Sequence, residues 1–142
     1  VCLGTDGAAS NNSLNMFHEM SLLALIHKGV RRTPQCISAK ENFRIATING
    51  AKALGLEKET GSLEAGKKAD IAILNLNTPS LTPRNNLLAG LSYSANGSEV
   101  ETVIIDGKIT MEDRKVLTLD EELVYRKVNE IITRMGLDKK EY

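Results

Sequence analysis

The sequence predicts an α/β chain made of two unlike parts, and three observations carry that reading. The first 55 residues read as a strand followed by two helices. A turn-rich polar stretch, residues 61–70, then leads into short runs of Val and Ile. One of those runs ends in Asp106-Gly107, the dipeptide that favours a two-residue hairpin turn. The last part opens with Thr118-Leu119-Asp120-Glu121, an S/T-x-x-E capping box that starts a terminal helix.

Each element has its own local cause. Val1-Cys2-Leu3-Gly4 opens the chain with no Met and no polar lead-in, and residues 1–5 read as a strand. Natural termini are usually polar and frayed, so a core strand at residue 1 predicts a chain cut from something longer. A loop of small and polar residues follows at 5–12, and Asn12 or Ser13 is placed to cap a helix over residues 13–28. That helix holds Met20-Ser21-Leu22-Leu23-Ala24-Leu25-Ile26. It is apolar around most of its circumference and should be heavily buried, with Gly29 as its stop. Ser38-Ala39-Lys40-Glu41 is a second capping box, opening a helix to Leu54 with Gly55 at C′. Residues 71–76 read as a strand buried on both faces. Residues 77–99 read as irregular, with a helical turn near residues 84–91. Residues 100–105 and 108–111 form the hairpin. The terminal helix gathers Leu119, Leu123, Val124, Val128, Ile131, Ile132 and Met135 on one stripe. Gly136 ends it and a charged tail follows.

Composition narrows the function. The chain has 142 residues, 18 Lys+Arg against 18 Asp+Glu, and no net charge. Nucleic-acid binding would need a basic face, so no nucleic-acid partner is expected. No apolar run reaches the roughly 18 residues of a membrane span, so no membrane partner is expected. Cys2 and Cys36 are too few for a disulfide framework and suit a reducing, cytoplasmic compartment.

Few residues point to chemistry. Asp6 sits where an apolar strand gives way to a small-residue loop. In parallel α/β folds catalytic groups lie at such strand ends; an aspartate there also commonly caps a turn. His18 and His27 are nine residues apart on one helix, which puts them on opposite faces and denies them a shared metal. Gly61 and Gly66 lack the strand before and helix after that a phosphate loop requires.

Leu3-Gly4-Thr5-Asp6-Gly7-Ala8-Ala9-Ser10-Asn11-Asn12 resembles the last metal-ligand motif of the amidohydrolase superfamily, in particular its 5-methylthioadenosine/S-adenosylhomocysteine deaminases. The resemblance continues through Asn15-Met16-Phe17-His18-Glu19-Met20 and through residues 46–55. Residues 61–70 resemble the superfamily's connector into its small β domain, and residues 103–108 resemble the hairpin that closes that domain.

The resemblance implies the C-terminal part of a (β/α)8 metal-dependent hydrolase barrel, residues 1–59, followed by part of a small β-sandwich, residues 60–118, and a terminal helix and tail, residues 119–142. It implies one divalent metal, zinc or iron, in the full-length enzyme. Asp6 would be both a metal ligand and the catalytic proton acceptor, and the substrate a purine nucleoside whose adenine ring loses ammonia. The family's H-x-H pair, its later metal histidines and its acid/base glutamate are absent from these residues, so the chain alone is expected to bind no metal and to be inactive. Two other readings stand beside this one: a chlorohydrolase or a guanine or cytosine deaminase of the same superfamily, and a non-enzymatic protein-interaction module. Strand edges and apolar faces that have lost neighbours predict a homo-oligomer.

Overall fold

The computed structural model describes residues 1–137. The helices come first: α1 (Met16–Arg31), α2 (Ala39–Ala46) and α3 (Ile48–Ala53). After the connector come β1 (Ile71–Leu74), a 3₁₀ turn (Pro79–Leu81), α4 (Leu87–Tyr93), β2 (Val100–Ile105), β3 (Lys108–Glu112), β4 (Lys115–Val116) and α5 (Glu121–Arg134). The four strands make one antiparallel sheet in the order β1-β2-β3-β4. Asp106 and Gly107 both take positive φ, 51° and 75°, the turn their sequence calls for.

Several boundaries differ from the sequence reading, each for a local reason. Residues 1–5 are not a strand. Their backbone has no strand to pair with among the described residues and lies along the helices, with Leu3 N–H donating to the Ile45 carbonyl at 3.2 Å and Asn49 Nδ2 to the Val1 carbonyl at 3.0 Å. The cap of α1 is Asn15, whose Oδ1 accepts from the N–H groups of Phe17 and His18. Gly29 does not stop α1; the helix runs on to Arg31 and closes at Arg32, which takes the left-handed conformation. The second predicted helix is broken at Thr47, with φ −126° and ψ −97°. Its hydroxyl donates back to the Phe43 carbonyl at 2.7 Å, the competition with the helix ladder that Thr is prone to. The terminal helix is capped by Asp120, whose carboxylate accepts from Leu123 N–H at 3.0 Å, rather than by Thr118.

The core sits between the helices and the end of β1. Leu81, Leu91 and Ala95 are buried together, with Phe17, Phe43, Leu74 and Leu76 packed against them. Three polar contacts, one buried and two part-buried, tie the helices. Asn42 Nδ2 donates to the Met20 carbonyl at 2.8 Å, Ser92 Oγ to the Ala39 carbonyl at 3.2 Å, and Tyr93 OH to the Ile37 carbonyl at 3.2 Å. The expected deep burial of the first helix holds on one face only: Met20 and Ala24 are buried, while Leu25, Ile26 and Val30 are exposed. The apolar stripe of α5 is exposed apart from half-buried Leu123, and α5 fully buries none of its residues. The predicted charged tail lies, beyond Leu137, outside the described residues. Among the described residues no helix is long and apolar enough to cross a membrane.

Candidate functional site

Asp6 begins a tight loop. It takes φ 58°, a left-handed conformation that aspartate tolerates better than most residues. The side chain is exposed, and its Oδ1 accepts from the Gly7 N–H at 2.7 Å. The Gly7 carbonyl accepts from Ser10 N–H at 2.9 Å and Asn11 N–H at 3.0 Å. Asn11 fastens the loop from inside. Its Nδ2 donates to the Thr5 carbonyl at 2.9 Å and to Glu19 Oε1, in the first turn of α1, at 2.7 Å; its Oδ1 accepts from Ser13 N–H at 2.9 Å. The result is an exposed carboxylate on a backbone pinned to the start of a helix.

One carboxylate does not make a metal centre. A catalytic zinc is held by three protein ligands, and among the described residues no group of three or more His, Cys, Asp or Glu could hold a metal. His18 and His27 lie on α1, with His18 exposed and His27 half-buried. Cys2 and Cys36 are free thiols.

Two hollows flank the helices. An apolar groove of about 470 Å³ runs between α1, α2, the connector and β1, walled by Phe17, Met20, Phe43, Leu63 and Leu74 among others. A more polar hollow of about 290 Å³ lies beside the N-terminus of α1, with Ser13, Asn15, His18, Tyr93 and Asn96 in its walls. Asp6 is in neither wall.

Charged groups staple the connector and the turns. Asp70 accepts from Asp106 N–H at 2.8 Å and from Thr60 Oγ at 2.7 Å, and these bonds hold its carboxyl below the usual range. The Ser62 hydroxyl and then the Lys67 ammonium do the same for Glu64, and Glu59 raises Lys68. Glu99 is the one these sequence patterns did not single out. It is fully buried, and Ser80 Oγ donates to its Oε1 while Gly97 N–H donates to Oε2 at 2.9 Å. Burial pushes its carboxyl up, but the Ser80 hydroxyl and the backbone N–H groups of Glu99, Asn96 and Gly97 outweigh that and hold it below the ordinary range. The signal was present in Ser94-Ala95-Asn96-Gly97-Ser98-Glu99: a turn whose free N–H groups need an acceptor.

The chain is 52% identical over 135 residues to a 5-methylthioadenosine/S-adenosylhomocysteine deaminase of Acetivibrio thermocellus, covering 95% of this chain and 31% of that protein. It is 52% identical over 130 residues to a 5'-deoxyadenosine deaminase of Methanococcus vannielii, covering 92% of this chain and 30% of that protein. Its fold superimposes on an adenosine deaminase from Xanthomonas campestris, solved with bound zinc, with a TM-score of 0.91 and 33% identity over 96% of this chain and 31% of that one. The chain thus spans less than a third of the length of these relatives. The profile of the amidohydrolase family matches residues 1–110, and the chain belongs to that family.

Proposed function

We propose that these residues are the C-terminal part of a metal-dependent deaminase that replaces the amino group of an adenine ring with oxygen, acting on S-adenosylhomocysteine or 5-methylthioadenosine. The observation that carries the reading is Asp6: an exposed carboxylate on a pinned loop, within a chain about half identical to proteins bearing those deaminase names. In this reading residues 1–59 complete a (β/α)8 barrel, residues 60–118 belong to a small β domain, and residues 119–142 form the terminal helix and tail.

Asp6 would supply one oxygen ligand to a divalent metal, zinc or iron, with the other ligands coming from outside these residues, and such a metal would lower the pKa of its water toward 7. The Gly7 N–H takes one of the lone-pair sites on Asp6 Oδ1, which leaves the carboxylate sites both for a metal and for a proton from the attacking water. The reaction balances as adenine ring plus water giving hypoxanthine ring plus ammonia. The site is read as cytoplasmic and the protein as a homo-oligomer, its exposed apolar helix faces being covered in the assembly.

The whole protein that carries this chain tests the proposal. Incubated with S-adenosylhomocysteine, 5-methylthioadenosine or 5'-deoxyadenosine, it should convert the adenine absorbance to that of hypoxanthine and release ammonia. Absence of hypoxanthine product from all three would reject the reading.

A further inference from the structure

Glu99 and Asp6 lie far apart in sequence, yet a run of hydrogen bonds and short backbone links, including Glu19 N–H to the Asn15 carbonyl at 3.1 Å, joins their loops. Glu99 Oε2 accepts from Asn96 N–H at 3.2 Å and Gly97 N–H at 2.9 Å, and Ser80 holds Oε1. This fixes the turn at residues 96–99. The Asn96 carbonyl then accepts from Asn15 Nδ2 at 2.6 Å. Gly97 is packed on the same side chain: at its φ of 90° a Cβ would stand 3.2 Å from Asn15 Nδ2. Asn15 Oδ1 in turn accepts from Phe17 and His18 N–H at 3.0 and 3.3 Å, capping α1. Glu19, in the first turn of α1, receives Asn11 Nδ2, which also holds the Thr5 carbonyl next to Asp6.

We propose that Glu99 is a positioning residue: by locking the turn at residues 96–99 against Asn15 it sets the N-terminus of α1 and, through Glu19 and Asn11, the place of the loop that carries Asp6. The functional meaning rests on the reading of Asp6 given above; the mechanical claim does not. A carboxylate that merely satisfied its own turn would account for the bonds to Asn96 and Gly97. It would not account for the close approach of Gly97 to Asn15, or for a turn 81 residues away in sequence supplying the acceptor for the α1 cap residue.

Amide exchange on the 142-residue chain separates the two. Three variants are compared with the parent. Glu99→Ala removes the lock. Glu99→Gln keeps it, since Oε1 still accepts from the turn while Nε2 donates to the Ser80 hydroxyl. Asn15→Asp keeps the helix cap, because aspartate serves as well as asparagine there, but loses the donor to Asn96. Glu99→Ala and Asn15→Asp should each speed exchange at Ser10, Asn11 and Ser13 by about tenfold or more while the β2–β3 ladder amides change far less, the mark of local rather than global opening. Glu99→Gln should restore the parent rates. Should Glu99→Ala fail to fold, Asn15→Asp carries the test alone. Unchanged loop rates in Asn15→Asp, or equal acceleration everywhere in Glu99→Ala, would overturn the proposal. None of these readouts depends on metal or turnover, so they stand or fall apart from the role of Asp6.

Discussion

Gly61 offers a sharp test of how the helical part and the sheet part are joined. Its φ is 88°, and a Cβ built there would lie 2.7 Å from Ala51 Cβ and 3.1 Å from the backbone Cα of Ile48. Ala51 is buried and Ile48 begins α3, so neither atom is the free end of a flexible side chain. Gly61→Ala therefore meets two costs. The left-handed backbone costs an alanine about 1–2 kcal/mol. Forcing a methyl into a packed contact costs about 1–3 kcal/mol more. Gly66 supplies the control, since its φ is 90° but nothing lies within 4 Å of a Cβ there; Gly66→Ala should cost only the backbone term of about 1–2 kcal/mol. Equilibrium urea unfolding followed by far-ultraviolet circular dichroism gives both values, provided the slopes stay equal. The structure requires Gly61→Ala to be the worse by at least about 1 kcal/mol. Equal midpoints for the two variants would show that the connector does not rest on α3 and refute the packing described for it.

Other outcomes follow from the same contacts. Glu99 is held below its ordinary carboxyl value of 4.5, so its contribution to stability is present above that value and is lost as pH falls through the lower folded one. Glu99→Gln should lose less stability than the parent across that acid window in urea titrations, and identical pH profiles would contradict the ionised, hydrogen-bonded state of Glu99. The isolated 142-residue chain, given zinc and S-adenosylhomocysteine, should form no hypoxanthine; turnover above background would contradict the need for ligands from elsewhere. Val124, Val128, Ile131 and Ile132 on α5, and Met135 at its C-cap, are all exposed, so light scattering after size exclusion should show more than one chain per particle. A monomer across micromolar concentrations would count against self-association.

Local chemistry was legible where one residue decided it. Asp106-Gly107 fixed the hairpin, and Gly55 falls just past α3 with φ 72°. Ser38 caps α2 through Glu41 N–H at 3.2 Å, as its capping box indicates. What escaped were outcomes settled by competition between neighbours. Asn12, Ser13 and Asn15 all suit an N-cap, and Asn15 takes the role where it also reaches Asn96. Thr47 ends a helix that its apolar pattern would continue. The helical turn expected near residues 84–91 is α4, displaced to residues 87–93, whereas residues 115–116 form a fourth strand with little periodicity to announce it. The opening segment reads as a strand by composition, yet a strand is defined by its partner, which composition does not supply. At the site, Asp6 was visible from its loop. Asn15 was not, because the acceptor for its side-chain N–H lies 81 residues away; Asn11 and Glu99 bond closer in sequence, from loops and turns that no periodicity announces.

The central claim, that Asp6 is a metal ligand and the proton acceptor in a deaminase, is tested most directly by the kcat/KM of Asp6→Asn in the whole protein. Asparagine tolerates the same left-handed backbone and its Oδ1 still accepts the Gly7 N–H, so the loop should keep its shape and the circular dichroism spectrum should match the parent. The amide cannot take the proton and is a weaker ligand for a divalent cation. The account predicts loss of nearly all deamination of S-adenosylhomocysteine. Retention of more than about a tenth of the parent kcat/KM, a loss under roughly 1.4 kcal/mol of transition-state stabilisation, would contradict it.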